Sequence, residues 1–107
     1  MAQNSGRGRF SFLVYSSPNA GRDAEYNDWY DNRHLADVLA IPGFISARRF
    51  RLRSENVRDS RALPPYLAIY EIETDNLKGV LDELAKRRGT DAMVISEALD
   101  IDRKSVV

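Results

Sequence analysis

The sequence predicts a single α+β domain whose elements follow the order β-α-β-β-α-β. Two observations support this prediction. Short segments rich in β-branched and aromatic residues, typical of strands, alternate with stretches whose apolar residues recur at helical spacing. A chain of 107 residues has room for one hydrophobic core. We therefore expect one domain over residues 10–107, preceded by a flexible arm at residues 1–9.

The first strand is predicted at residues 10–16, FSFLVYS, which end at the turn signal SPNAG. A helical stretch follows, and Asp23 stands in the position of its N-cap. Pro42 and Gly43 both oppose continuation of a helix, so they end this stretch. The chain then enters the second strand.

Residues 44–53 alternate with a period of two, which predicts the second strand. One face of this strand is predicted to carry Phe44, Ser46, Arg48, Phe50 and Leu52. The alternation places Arg48 and Arg49 on opposite faces. A polar loop is predicted at residues 54–65, and the third strand, YLAIYEIE, at residues 66–73.

The second helix is the most regular element of the sequence. Its apolar residues recur at i, i+3, i+4, i+7 and i+8, namely Leu77, Val80, Leu81, Leu84 and Ala85. Asp75 is the predicted cap, and Gly89 suits the position after the last turn. The basic residues 86–88 complement the negative end of the helix dipole, which is a more economical interpretation than a binding patch.

Residues 90–99 are predicted to add a short helical piece, and residues 100–107 a short fourth strand. This order of elements is the split β-α-β, or ferredoxin-like, arrangement, with one antiparallel sheet and both helices on one of its faces. The opposite face would present apolar side chains that a partner must cover. A symmetric homodimer is the simplest such partner.

Composition narrows the range of partners. Sixteen basic and sixteen acidic residues cancel, so no overall field attracts nucleic acid or an anionic membrane. No apolar run approaches the roughly 20 residues that span a bilayer. The chain has no cysteine, which excludes disulfides, thiolate metal sites and cysteine nucleophiles. The first ten residues lack the apolar core of a signal peptide, so we expect a cytoplasmic protein.

The stretch EYNDWYDNRHLADVLAIPGF, residues 25–44, gathers the only tryptophan, the only histidine and two of the five tyrosines. Histidine exchanges a proton near neutral pH, so His34 is the candidate general acid and base. Asp37, three residues further on, is predicted to orient the imidazole ring. Tyr26 is predicted to assist catalysis, because a tyrosine hydroxyl donates to a carbonyl or phenolate oxygen.

The predicted substrate-binding residues are Trp29, Tyr30, Phe44 and Arg49. Trp29 offers a flat apolar surface to a ring-shaped ligand, and Tyr30 adds a second hydroxyl. An arginine that faces buried space needs an anionic partner. For Arg49 that partner is either a ligand carboxylate or phenolate, or a protein carboxylate such as Glu71 or Glu73.

A helical wheel divides this stretch. One arc holds Tyr26, Tyr30, Arg33, His34 and Asp37. Nearly the opposite arc holds Leu35, Val38 and Leu39. A single straight helix would expose one of these sets. We therefore expect a helix over residues 23–33, a break near His34 and a re-aimed turn over residues 36–40.

A structural interpretation stands beside the catalytic one. A lone histidine in a helix is commonly a satisfied structural residue, and aromatic residues at helical spacing commonly belong to the core. Asp37 serves equally well as the cap of a second short helix. One histidine without a second nitrogen or sulfur ligand is a poor start for a metal site, so we expect neither a metal nor a cofactor.

Residues 26–52, YNDWYDNRHLADVLAIPGFISARRFRL, resemble the signature of the EthD-like families in the dimeric α+β barrel superfamily. There a WY…H(L/I)PD…PGF pattern joins strand one to strand two. The histidine of the pattern corresponds to His34, the aspartate to Asp37, and the aromatic pair to Trp29 and Tyr30. Family members usually carry a proline where this chain has Ala36. The resemblance implies a break after His34, softened by that alanine.

The resemblance also implies a ferredoxin-like protomer whose sheet packs on its twin to form a barrel, with a pocket between sheet and helices. In the wider superfamily such pockets serve cofactor-free monooxygenases, cyclases, isomerases, dehydratases and lyases that act on small, often aromatic molecules. It thus implies a small enzyme acting on an aromatic or cyclic carbonyl compound. The alternative is a non-catalytic dimer that binds a hydrophobic metabolite, or an accessory partner of an oxidative enzyme.

Overall fold

The computed structural model describes residues 8–52 and 64–101, and the backbone of Ser105–Val106. The chain order is β1 (Gly8–Ser16), α1 (Asp23–Trp29), a π-helical turn (Tyr30–His34), α2 (Leu35–Leu39), β2 (Phe44–Arg51), β3 (Tyr66–Thr74), α3 (Leu77–Arg87) and β4 (Ser105–Val106). The predicted α+β architecture is confirmed. The arm and the polar loop, predicted at residues 1–9 and 54–65, fall largely outside the described residues. The end of the predicted arm is wrong, because Gly8 and Arg9 already belong to β1.

One antiparallel sheet organises the fold, with the strand order β2-β3-β1-β4. The central ladder runs without interruption from Gly8 opposite Thr74 to Ser16 opposite Tyr66. The edge strand β4 adds two residues, which pair with Val14 and Tyr15 of β1. This order is consistent with a ferredoxin-like arrangement, and the fourth strand is short, as predicted.

One face of the sheet carries the core. Val14, Tyr70 and Ile72 are buried on this face, which we call the helix face because α1, α2 and α3 all pack on it. Successive strand residues point to opposite sides, so Leu13 and Ile69 lie on the other, open face. The helical stretch after β1 and the helix α3 therefore cover the same side of the sheet, as the sequence predicts.

A β-bulge interrupts β2. Phe44 lies opposite Ile72 and Ala47 lies opposite Tyr70, so one extra residue is inserted between them. The bulge places Phe44 on the helix face together with Ala47 and Arg49. The predicted alternation, which grouped Phe44 with Arg48, is wrong because a strict period of two does not allow for the inserted residue. Arg48 and Arg49 do lie on opposite faces.

The helical stretch after β1 widens at His34 and does not break. The N–H of Leu35 donates to the carbonyl of Tyr30, five residues earlier, which closes a π turn between α1 and α2. The predicted break is therefore absent. A proline at position 36 would obstruct the preceding turn, whereas Ala36 allows the helix to continue.

The π turn also resolves the conflict on the helical wheel. The buried residues of the stretch, Tyr26, Tyr30, His34 and Val38, are each four positions apart. In an α-helix that spacing drifts by about 40° per step. A π turn winds less per residue, so it cancels part of the drift and keeps all four side chains on the sheet side. Val38 thus shares the aromatic face, while Leu39 is 38% exposed.

Both predicted helix caps are displaced by one residue. Arg22 precedes α1 without a side-chain capping bond, and Asp23 is the first helical residue. Asn76 caps α3, because its Oδ1 accepts a hydrogen bond from the N–H of Gly79 at 3.0 Å. Asp75 does not cap the helix.

The short helical piece predicted at residues 90–99 is also absent. Gly89, at φ 82°, turns the chain, and its N–H donates to the carbonyl of Met93 at 2.8 Å. The segment then runs as turns to an isolated bridge between Leu99 and Pro18. In the part of the chain that the structure describes, no helix combines the length and apolarity needed to cross a bilayer.

Gly43 lets α3 approach the turn between α2 and β2. Its φ of 108° lies in the region that disfavours side chains, and a Cβ at this position would stand 2.8 Å from Cγ2 of Val80. Gly21 has a comparable φ of 79°, yet a Cβ there would meet nothing within 4 Å. A substitution at Gly21 would thus add backbone strain alone, whereas a substitution at Gly43 would add the same strain and a steric clash with Val80.

We expect Gly43→Ala to lower the free energy of unfolding more than Gly21→Ala does. Both substitutions carry the left-handed backbone cost of about 1–2 kcal/mol, and overpacking against Val80 adds about 1–3 kcal/mol at position 43. Urea unfolding followed by circular dichroism measures both. Equal losses for the two variants would contradict the close approach of α3.

Candidate functional site

A cavity of about 270 Å³ lies between the helix face of the sheet, the π turn and α3. Its apolar wall consists of Phe12, Val14, Val38, Leu81, Leu84, Ala85 and Met93. Its polar groups belong to Tyr30, His34, Tyr70 and Arg88. A cavity of about 150 Å³ is sufficient for benzene. The space here suits a substituted or fused ring.

Aromatic rings hold the imidazole of His34 in place at the cavity wall. The indole of Trp29 stacks on it, with 4.6 Å between centroids and 29° between planes, and Tyr30 meets it edge-on at 4.9 Å. The indole is itself anchored, because Nε1 of Trp29 donates to the carbonyl of Val94 at 3.0 Å. His34 is 8% exposed. The ring therefore has a defined orientation and lines the cavity.

Two tyrosine hydroxyls meet beside the imidazole. The hydroxyls of Tyr30 and Tyr70 are 3.2 Å apart and hydrogen-bonded. Burial raises the pKa of Tyr30 to about 12, and burial likewise raises the pKa of Tyr70. Both groups therefore remain protonated at neutral pH. The pair has two hydrogens and uses one in its mutual bond, which leaves one donor for a ligand.

Arg49 belongs to the support of the site, outside the cavity wall. Its guanidinium donates to Oδ1 of Asp31 and to Oδ1 of Asn27, each at 2.8 Å. It also lies over the ring of Tyr30, 4.3 Å from the centroid. The side chain is 12% exposed. A protein carboxylate thus faces Arg49, and it comes from the helical stretch, where the sequence pointed to Glu71 or Glu73 of β3.

Tyr26 and Phe44 lie one layer behind the cavity wall. Tyr26 is fully buried, and its hydroxyl is hydrogen-bonded to Oγ of Ser16 at 2.5 Å. Burial raises the pKa of Tyr26, and the bond to Ser16 opposes that rise. Phe44 packs edge-on against Phe12 and Tyr70, two residues of the wall. Both side chains position the wall and neither borders the cavity.

Asp37 and Trp29 also stand outside the lining. The carboxylate of Asp37 accepts a hydrogen bond from Nε of Arg33 at 3.0 Å, and its side chain is 19% exposed. Arg33 in turn donates to the carbonyl of Asp91 at 3.2 Å. Trp29 contacts His34 from the side of the segment after α3. Of the seven predicted site residues, the structure places His34 and Tyr30 on the cavity wall.

Sequence reasoning missed two polar groups of the wall, Tyr70 and Arg88. The period of two in β3 sets Tyr70 on the same face as Ile72, so its position was available from the pattern. Arg88 continues the apolar stripe of α3, since it follows Leu84 by four residues and Leu81 by seven. Because Arg88 is charged, the sequence analysis assigned it to the helix dipole and did not place it on the face of α3 that borders the cavity.

Over residues 8–52 and 64–101, no group of three or more histidine, aspartate or glutamate side chains comes together as a metal-binding set. The polar groups at the cavity are one imidazole, two phenols and one guanidinium. These groups suit an organic ligand that accepts hydrogen bonds.

The chain was compared with family models, curated proteins and solved structures, and no match was found. The fold and the cavity thus define a small α+β protein with a ligand-sized hollow. Its function has to be argued from the geometry of that hollow.

We expect Arg49→Lys to lower the free energy of unfolding by about 1–3 kcal/mol. A lysine cannot reproduce the planar contacts to Asn27 and Asp31 or the stacking on Tyr30. Thermal and urea unfolding measure the loss. The matched control is Arg51→Lys, because Arg51 is exposed at the end of β2. Equal stability of the two variants would contradict the role of Arg49.

Proposed function

We propose that the chain is a cofactor-free enzyme that acts on a small aromatic or cyclic carbonyl compound, with His34 as general acid and base. One observation carries the proposal. His34 and Tyr30 both line a mainly apolar cavity large enough for a ring-shaped ligand. Few side chains other than histidine exchange protons readily at neutral pH.

The chemistry we propose is proton transfer next to a carbonyl group. The ligand ring packs against Phe12 and Leu84, and the imidazole removes a proton from the carbon beside the carbonyl. The carbonyl oxygen then gains negative charge, which the Tyr30–Tyr70 hydroxyl pair stabilises by donating a hydrogen bond. The imidazolium returns the proton to a different atom or to a leaving hydroxyl. Isomerisation, cyclisation and dehydration all follow this scheme.

The resemblance to the EthD-like families supports the same proposal from the sequence side. His34 matches the histidine of their pattern, and we propose that the chain shares their dimeric α+β barrel architecture. The strand order β2-β3-β1-β4 is compatible with it. We propose that Trp29 acts through His34 by holding its imidazole ring in place. Asp37 acts less directly, because it fixes Arg33, which bonds to the segment after α3 that anchors Trp29.

The role of His34 as a general base can be tested with a model ketone in place of the natural substrate. We expect the protein to accelerate exchange of the α-hydrogens of tetralone, a fused aromatic ketone, in deuterium oxide, as followed by NMR. His34→Gln should lower that rate by about 10²–10⁴-fold, the usual contribution of a general base. Leu84→Trp, which fills the cavity and leaves His34 in place, should abolish exchange as well.

Circular dichroism of both variants controls for folding. Undiminished exchange in His34→Gln would contradict catalysis by the imidazole. Quenching of Trp29 emission by tetralone without any exchange would favour the alternative, a non-catalytic binder of hydrophobic metabolites. Absence of both exchange and quenching would overturn the cavity as a ligand site for ring ketones.

We also propose a homodimer that buries the open face of the sheet. On this face Leu13 lies opposite Ile69, with Leu67 next along β3 and Phe50, 41% exposed, on β2. The three aliphatic side chains are half-buried and Phe50 is exposed. A contiguous apolar patch of this kind typically marks an interaction surface. A second copy related by a two-fold axis presents a matching patch.

We expect the wild-type chain to sediment as a dimer and Ile69→Lys to sediment as a folded monomer. The lysine would place a charge at the centre of the proposed interface, where it finds no partner. Analytical ultracentrifugation measures the mass. Val94→Lys is the control, because Val94 is 42% exposed and lies outside the sheet. A monomeric wild type, or a dimeric Ile69→Lys variant, would contradict the interface.

A further inference from the structure

Arg88 is the cavity residue that neither the proposed mechanism nor the fold uses. It follows the last turn of α3, and its backbone N–H donates to the carbonyl of Leu84 at 3.1 Å. Its side chain lines the cavity and is otherwise exposed to solvent. Among the described residues, no ion pair or side-chain hydrogen bond engages its guanidinium.

Two other basic residues of α3 are paired. Lys78 bonds to Asp82 at 2.7 Å, and Arg87 bonds to Glu83 at 2.6 Å. Lys86 and Arg87 occupy the last turn of α3, where they complement the helix dipole. Arg88 stands beyond that turn, so the dipole alone does not account for it.

The permanent charge on the cavity wall is positive only. The eleven lining residues include no aspartate and no glutamate, and Arg88 is the one with a permanent charge. Its field reaches the interior. Burial raises the pKa of Tyr30 to about 12, and the positive charge of Arg88 is among the weaker effects that oppose this rise. An anionic ligand group therefore meets attraction here and no carboxylate that would repel it.

We propose that the natural ligand is an aromatic or alicyclic carboxylate, bound with its ring in the apolar cavity and its carboxylate on Arg88. This inference rests on the proposed role of the cavity as a ligand site and names the class of compound. A guanidinium presents two parallel N–H donors, which match the two oxygens of a carboxylate. Leu84 and Met93 contact the ring.

A pair of probes of equal shape isolates the charge. Naphthoate and its uncharged amide differ at the carboxyl group alone, and quenching of Trp29 emission or calorimetry at low salt measures both affinities. We expect the wild-type protein to bind naphthoate about two- to fivefold more tightly than the amide, the range that a partly exposed ion pair contributes. Added salt should reduce that preference.

Substitutions at Arg88 test whether this residue causes the preference for naphthoate over the amide. Arg88→Gln should abolish the preference for naphthoate and leave the affinity for the amide within about twofold, while Arg88→Lys should retain part of it. Lys86→Gln is the matched control. Lys86 lies two residues before Arg88 and carries an equal charge, but it does not line the cavity. The control should keep the full preference.

Four results would overturn the inference. Equal binding of both probes by the wild type, or a preference that survives Arg88→Gln, would show that Arg88 does not select carboxylates, while the cavity remains a ligand site. A preference lost equally in Lys86→Gln would show a diffuse charge effect. Failure of both probes to bind would overturn the inference, and the tetralone exchange described above would then decide the proposed function separately.

Discussion

The bond from the N–H of Leu35 to the carbonyl of Tyr30 is the constraint on which the site depends. It closes the π turn, and the π turn keeps Tyr30, His34 and Val38 on one side of the helical stretch. With α-helical winding throughout, each step of four residues would drift by about 40°, so His34 and then Val38 would turn progressively away from the side of Tyr26. A single backbone hydrogen bond thus keeps these side chains on one side of the helical stretch, where they line the cavity.

Two arginines near the cavity show how environment assigns different tasks to one side chain. Arg49 is enclosed by Asp31, Asn27 and tyrosine rings, so its charge is compensated within the fold and serves to hold α1 on β2. Arg88 has solvent on one side and the cavity on the other. A compensated charge stabilises a structure, whereas an uncompensated one at the rim of an apolar hollow attracts a partner from outside.

The sequence predicted the order of elements, the antiparallel sheet and the short β4, because strand alternation, the α3 stripe and the turn residues are local signals. It did not predict the bulge in β2 or the π turn, since each inserts one residue and shifts everything after it. For the site, the pattern located His34 and Tyr30. It assigned Phe44, Arg49 and Tyr26 to the ligand, because composition shows that a residue is aromatic or charged but not which side of a packed layer it occupies. Tyr70 and Arg88 come from β3 and α3, and only their tertiary packing brings them to His34.

Met93 gives the hollow a property beyond its volume. It is fully buried on the cavity wall, in a segment of turns and outside any helix or strand. A thioether chain is unbranched and rotates about three bonds, so it can fill gaps of different shapes. For the ring compounds proposed above, this wall would adapt to rings of different outline. Such plasticity favours breadth of ligand choice over discrimination by shape, and it leaves selectivity to the polar groups at the rim.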